Sequence, residues 1–465
     1  MKKYDVIVLG AGPGGYVAAI RAAQLGASVA VIEKNKVGGT CLNAGCIPTK
    51  ALIKNVEILH SIEAGKHRGI KIEGNVVLDY SKAVKAKDRA VKQLVKGVSG
   101  LLQSNGVELY QGCGVLAGDK RIFVDNGNER LELEFGKLII ATGSSPKLPP
   151  VKGADEDGVV TSEELLACTQ MPESLVIIGG GVIGCEFATI FNAYGCKVTI
   201  IEMLPTVVAV QDETVSEMMR HMLEQSGIEI KADSKVQEIV KRDDGRLNVI
   251  VQRADNTTET VSGDKVLIST GRKPNSEQFG LMGFEMDRGF ISVNDRMETS
   301  ISGIYAIGDV TGKRQLAHVA SEMGICAAEN AMGKDKKMSF DIIPACIYTT
   351  PEVGCVGLTE KEAKEKGLDV AAGIFPLVAC GKAVASGDTD GMFKIVADKK
   401  TKKILGAHFI GRSATELVAE AAAYMKMNGT VEDIVETIHS HPTISEAVAE
   451  AARDVDNISI HMPKK

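Results

Sequence analysis

A single offset organises this chain. Shifted by 169 residues, "YDVIVLGAGPGGYVAAIRAAQLGASVAVIEK" (4–34) lies over "SLVIIGGGVIGCEFATIFNAYGCKVTIIEM" (174–203). Gly10 then falls on Gly179, Gly12 on Gly181, Gly15 on Gly184, Gly26 on Gly195 and Glu33 on Glu202. Each copy reads as apolar strand, glycine turn, amphipathic helix, glycine stop, apolar strand and acid, which is a βαβ unit. A lone G-x-G-x-x-G is weak evidence. Two copies, each after a strand, opening a helix and preceding an acid at one distance, are not chance glycine turns.

The glycines have separate tasks. The first makes the tight turn, the second lets backbone approach a pyrophosphate, and the third packs helix on strand. The helix N-terminus offers N–H donors and partial positive charge to phosphates. Glu33 and Glu202 end the second strand of each unit, where a carboxylate accepts from ribose hydroxyls. No arginine stands in "IIEMLPTVV" to receive a 2′-phosphate, so the second site is expected to take NAD rather than NADP. Two such sites imply two different dinucleotides, one a flavin and one a nicotinamide.

Further strands follow the same plan. "KLIIATG" (137–143) matches "KVLISTG" (265–271), and "GIYAIGD" (303–309) ends on Asp309. The second nucleotide domain is therefore expected inside the first, with crossings at "SSPKLPPVKG" and "GRKPNSE". From about residue 342 the pattern changes to antiparallel strands ("CIYTTPEVGCVGLTE", "GMFKIVAD", "KILGAHFIG") and two helices. The expected organisation is α/β with two Rossmann-like domains, one inserted in the other, and a C-terminal α+β domain. Its segments are 1–147, 148–275, 276–341 and 342–465. The length, 465 residues, suits about three domains of roughly 150 residues.

A net charge of −6 and no basic run argue against nucleic-acid binding. No apolar stretch reaches the ~18 residues of a membrane span. "MKKYDVIVLGAG" is read as a first strand rather than an export signal, because Asp5 precedes a short apolar run. A cytoplasmic location follows, where most of the ten cysteines are expected as thiols.

Cys41 and Cys46 lie five positions apart in "GGTCLNAGCIPTK". In a regular helix their Cα atoms would be roughly 8–9 Å apart. A disulfide needs less than about 7 Å, so a bridge requires a distorted turn. Asn43, Ala44 and Gly45 tolerate one, and Pro48 suits the start of a following helix. From the pair alone three readings stand: a redox disulfide, two free core cysteines, or half a metal site. No second pair has metal-ligand spacing, and no metal is expected.

Taken together, "GGTCLNAGCIPTK", "GAGPGG", "GGGVIGCE", "AIGD" and "HPTISE" resemble the flavin disulfide reductase family over essentially the whole chain. Within it, the resemblance is greatest to the branch that oxidises dihydrolipoyl groups. It implies FAD at the first site and NAD at the second, with a Cys41–Cys46 redox disulfide facing the flavin. Cys46 is then the flavin-proximal thiol, forming a charge-transfer thiolate, and Cys41 exchanges with the dithiol substrate. Lys50 and Glu186 resemble the ion pair beside the flavin ring. Thr40 and the glycines beside it are expected near the flavin's phosphates. Asp309 is expected by the ribityl or phosphate region, and Gln315, Leu316, Ala317 and His318 by the isoalloxazine edge. Gly114, Thr142, Gly143 and Ser144 are expected by the adenosine half, and Val236 and Gly271 near NAD. Ala44 and Thr49 depart from the valine and serine expected in the cysteine motif.

The resemblance also implies that the histidine before proline, His441, is the acid–base group, with Glu446 on its other ring nitrogen. An ordinary histidine pKa of ~6.5 suits taking a proton from a dithiol near neutrality. His439 is read as a neighbour. The C-terminal domain is implied to form a homodimer in which His441 serves the other subunit's disulfide. The implied partner is a lipoylated carrier protein of a 2-oxoacid dehydrogenase complex or the glycine cleavage system, since no lipoyl domain precedes the first strand. Two alternatives stand beside this reading, another disulfide reductase and a non-catalytic flavoprotein scaffold. Glu202 disfavours an NADPH-dependent glutathione reductase, and the ending "ISIHMPKK" lacks the cysteine pair of a mercuric reductase.

Overall fold

In a computed structural model describing residues 1–118 and 120–464, the duplicated strands pair in parallel in two separate sheets, the first of which also carries the antiparallel strands Cys113–Leu116 and Arg121–Asp125. The first places Val29–Glu33 beside Lys2–Leu9 and Lys2–Leu9 beside Arg130–Ile140, all parallel. Ile304–Ala306 returns to the far side of Arg130–Ile140, with Ala306 opposite Ile140. The second aligns Glu229–Lys231, Lys197–Ile201, Ser174–Ile178, Lys265–Ile268 and Val159–Thr161, again all parallel. Val29–Glu33 and Ser174–Ile178 are buried at every residue. Unbroken apolar runs like these mark strands covered on both faces, as parallel sheets require. The whole second sheet lies in sequence between Arg130–Ile140 and Ile304–Ala306, so one nucleotide domain is inserted in the other. The two chain crossings run side by side, Ser144–Pro146 pairing antiparallel with Arg272–Pro274.

The C-terminal domain is a five-stranded antiparallel sheet, ordered Ala345–Ile347, Val353–Gly357, Ile404–Ile410, Met392–Asp398 and Val370–Pro376. Helices Ala414–Lys426 and Glu446–Asp454 cover one face of it. A buried ionic cluster ties this domain to the second nucleotide domain. Lys394 Nζ reaches Asp212 Oδ1 at 2.9 Å and Glu360 Oε2 at 2.9 Å, and both Lys394 and Asp212 are buried. A charged pair taken out of water holds only where its geometry is satisfied, so the cluster fixes one relative placement of the domains.

Candidate active site

Both glycine turns are built alike. Gly10 and Gly179 have φ of +105° and +106°, a left-handed conformation that glycine tolerates. A Cβ at either would run into a neighbouring strand's carbonyl, Ala141 or Ser269. At Gly181, by contrast, the space where a Cβ would stand is open, and at Gly12 a Cβ would meet only the Gly39 Cα, in ordinary contact at 4.0 Å. Helices Pro13–Gln24 and Val182–Ala193 begin there, with no side chain capping their first amides. Free donors, helix dipole and open space together fit a pyrophosphate at each turn.

The acids match at the level of single bonds. Glu33 accepts from Ala11 N–H at 2.7 Å and from Asn35 N–H at 2.8 Å. Glu202 accepts from Gly180 N–H at 2.6 Å and from Leu204 N–H at 2.8 Å. The same offset of 169 relates all four donors and acceptors. Each carboxylate is held rigid at the sheet's C-terminal edge, with lone pairs left for a ribose.

Around the first turn, Ser144 Oγ donates to Asp309 Oδ2 at 2.6 Å, and Arg272 Nε donates to Ser144 Oγ at 2.7 Å. Thr142 Oγ1 donates to the Asn275 carbonyl at 2.7 Å, and Gly143 has φ +70°. Thr40 lies in the short helix Gly39–Ala44 that faces the turn, where Gly39 stands against Gly12. Leu316 precedes the helix Ala317–Ala331, which packs on Pro13–Gln24, and Gln315 stands one residue earlier. His318 Nε2 is 2.9 Å from the Pro344 carbonyl. Gly114 sits in Cys113–Leu116, where a Cβ would press on Leu9 and Ile32. In the second domain Gly271 has φ +111° beside open space, and Val236 is buried at a bulge in Ser234–Lys241.

The cysteine pair straddles a helix break. Helix Gly39–Ala44 carries Cys41; the chain turns at Gly45, and Cys46 is the first residue of the long helix Cys46–Lys66. The two side chains meet as hydrogen-bonded thiols, which the uninterrupted helix would not allow. The hydrogen bond from Cys41 holds the Cys46 thiol down to about 7; burial opposes this and the Lys50 charge assists it. The helix N-terminus favours the thiolate too. Cys41 is pushed up by the same hydrogen bond and by burial. The pair is thus polarised, with Cys46 the thiol that ionises.

Lys50 stands one turn beyond Cys46, on the same face of its helix. Its Nζ donates to both Glu186 oxygens at 2.9 Å, joining the first nucleotide domain to the second. Glu186 is buried and also accepts from Tyr348 N–H at 2.9 Å. The Tyr348 ring covers Lys50, with Nζ 4.5 Å from its centroid. Sequence reading missed Tyr348: "CIYTTPEV" reads as strand, and nothing local announces a contact 298 residues from Lys50.

The two histidines differ in what their nitrogens face. His441 Nδ1 lies 2.9 Å from Glu446 Oε1, and its ring is 77% exposed. An ionised carboxylate only accepts, so Nδ1 is the donor, and Nε2 is the ring nitrogen free of that bond. Glu446 is further tied by Thr443 N–H at 2.9 Å. Burial pushes Glu446 up, but the bonds from His441 and Thr443 outweigh it and hold it below the usual carboxylate value. The His441–Pro442 peptide is cis.

The His439 ring is 8% exposed and lies between two acceptors, Glu420 Oε1 at 2.7 Å and the Thr437 carbonyl at 2.9 Å. Both bonds are made at once only by the doubly protonated ring, and the Glu420 bond raises the His439 pKa against the effect of burial. A ring with no free lone pair is no base; it anchors the loop that carries His441. The folded pKa is raised, so this anchor stabilises fully below the unfolded value of ~6.5 and fades as pH rises through the folded value. His439→Asn is therefore expected to lower the melting temperature at pH ~6 and to converge on wild type above pH ~8. Melting curves across that range check it; a gap that is constant with pH contradicts it.

Residues 4–324 match the family model for pyridine nucleotide-disulphide oxidoreductases, and residues 343–452 match that family's dimerisation domain. The chain belongs to this family. It is 41% identical to dihydrolipoyl dehydrogenase of Bacillus subtilis and 42% identical to that of Thermus scotoductus, each alignment covering 99% of both chains. A solved structure of an HOCl-induced flavoprotein disulfide reductase from Escherichia coli, as its Cu(II) complex, superposes with a TM-score of 0.87 at 27% identity, covering 97% of this chain and 99% of that one. The chain is an oxidoreductase using FAD and NAD, and the two open glycine turns fit one dinucleotide each. Among the described residues no helix is long and apolar enough to cross a membrane, and no three ligating side chains cluster for a metal.

Proposed function

We propose that the chain oxidises a protein-bound dihydrolipoyl group to the cyclic disulfide, with the hydride delivered to NAD⁺. The observation that carries this is the placement of Cys41 and Cys46 on either side of the Gly45 helix break, one turn ahead of the Lys50–Glu186 ion pair. In a homodimer the partner subunit's His441 takes a proton from one substrate thiol at Nε2. The resulting thiolate attacks Cys41 Sγ of the enzyme disulfide, and Cys46 leaves as a thiolate held by Lys50 and the helix N-terminus. The second substrate thiol then attacks the substrate sulfur of the mixed disulfide, closing the lipoyl ring and releasing Cys41, whose departing sulfur takes that thiol's proton. The substrate loses two electrons and two protons, and the enzyme pair gains the two electrons. When bound, FAD supplies the two-electron relay between this pair and the nicotinamide.

Within one chain, no hydrogen bond or ion pair among the described residues links 439–446 to 40–50. The exposed Ile438, Ile458 and Ile460 give the His441 end of the domain an apolar surface for a second subunit to cover. The lipoyl group is read as arriving on a carrier of a 2-oxoacid dehydrogenase complex or the glycine cleavage system, in the cytoplasm.

The test is anaerobic absorbance on adding dihydrolipoamide and then NAD⁺. A long-wavelength band from the Cys46 thiolate against the flavin, followed by NADH, supports the reading. A flavin that stays oxidised with dihydrolipoamide refutes it. Coenzyme choice follows from Glu202, whose carboxylate a 2′-phosphate would meet head-on. Like charges so placed cost several kcal/mol, so kcat/KM for NAD⁺ should exceed that for NADP⁺ at least about 100-fold. Equal values in the kinetic assay would contradict the assignment.

A further inference from the structure

The active-site geometry reaches into a third part of the chain. Lys50 comes from the first nucleotide domain, Glu186 from the second, and Tyr348 from the residue after strand Ala345–Ile347 of the C-terminal domain. Three contacts converge on one ion pair: the two bonds from Lys50 to Glu186, the Tyr348 N–H to Glu186, and the Tyr348 ring over Lys50. A cation within about 6 Å of a ring centroid is held by the ring quadrupole, more strongly where water is excluded. Burial pushes the Tyr348 phenol up to about 12, so the ring facing Lys50 is neutral.

We propose that Tyr348 is a positioning residue for the redox pair: its ring and backbone amide hold Lys50 and Glu186 in place, so that the lysine charge stays aimed at Cys46. This deepens the proposed function and rests on it. The charged and titratable groups facing Cys46 are Cys41 from the short helix, Lys50 from its own helix and Glu186 from the second domain. Those facing Tyr348 are Lys50, Glu186, Glu352 and the Cys346 thiol, which also bonds the phenol. Without the ring, Lys50, whose side chain is already 31% exposed, takes up more water and is free to swing away. Either change weakens its hold on the thiolate, and both move Cys46 in the same direction.

The experiment reads the thiol and not turnover. The pair is reduced anaerobically, and the rate of iodoacetamide alkylation at Cys46, located by peptide mapping, is followed against pH. Tyr348→Leu should shift the midpoint upward, lowering the thiolate fraction on the acid side about three- to ten-fold. Tyr348→Phe, which keeps the ring and loses the Cys346 bond, should titrate like wild type. A Leu variant that titrates like wild type, or a Phe variant that shifts as far as Leu, overturns the proposal. Fluorinated phenylalanines at position 348 keep the shape while draining the ring's charge, so they serve if Tyr348→Leu does not fold. Their midpoints should climb with each fluorine, and a flat series overturns the proposal. A wild-type Cys46 with no titration near neutrality would instead sink the active-site reading itself, and the proposal with it.

Discussion

Cys46→Ser should lower dihydrolipoamide-dependent NADH formation at least about 10⁴-fold, the scale on which enzymes lose a covalent group. The effect is large because no neighbour replaces the lost sulfur. Cys41 has no partner left for a disulfide, and the other eight cysteines lie elsewhere. Oxidation of NADH by ferricyanide should persist, since it needs neither thiol, and this separates lost redox exchange from lost folding. The two substitutions at Cys41 then divide its roles. Cys41→Ser and Cys41→Ala both abolish disulfide chemistry. Only serine keeps a hydroxyl able to donate to Cys46, the bond that does most to hold that thiol near 7. Alkylation of Cys46 in the serine variant should therefore titrate below that in the alanine variant. Full turnover in Cys46→Ser, measured as NADH formed per flavin, would refute the redox pair. A protein serving only as a scaffold would keep its partner binding unchanged in every one of these variants.

The fold was legible because its strongest features are local and repeated. An apolar strand, a glycine turn and an acid 23 residues beyond the first glycine recur at one offset, and the Glu33 and Glu202 hydrogen bonds recur with them. The insertion was legible for a similar reason: "GIYAIGD" looks like a sheet strand with no sheet nearby in sequence, and Ile304–Ala306 does pair with Arg130–Ile140. The cysteine spacing announced a distorted turn, and the break at Gly45 is where the small residues stand. Contacts that depend on domain placement were not legible. Lys394 reads as one lysine in a strand, yet it is buried against Asp212, 182 residues earlier. Tyr348 reads as a strand aromatic, yet it lies over Lys50. The proline after His441 separates it from His439 in "HSHPTISE", but nothing local shows that the Thr437 carbonyl and Glu420 engage both His439 nitrogens while Glu446 engages one nitrogen of His441. Polar partners brought together by tertiary packing leave no periodic trace, whereas apolar faces do.

His441→Gln should slow dihydrolipoamide oxidation by about 10²–10⁴-fold, the span of a general base, with ferricyanide reduction unchanged. Glu446→Gln should cost less, because the amide oxygen still accepts from Nδ1–H but no longer balances an imidazolium. Neither variant says which chain's cysteines the base serves. A mixed dimer does. One chain carries Cys41→Ser and Cys46→Ser, its partner carries His441→Gln, and two different tags isolate the heterodimer. If each site takes its base from the other subunit, one site receives both defects, and the second unites an intact cysteine pair with an intact histidine. The heterodimer then works at about half the wild-type rate. If each site lies within one chain, every site has one defect, and the heterodimer is as slow as the better parent. The exposed His441 ring and the apolar residues around it favour the first outcome, because a base left in open water holds its substrate in no fixed geometry. Activity no higher than that of the better parent homodimer would place the whole reaction in a single subunit, with His441 serving the cysteine pair of its own chain.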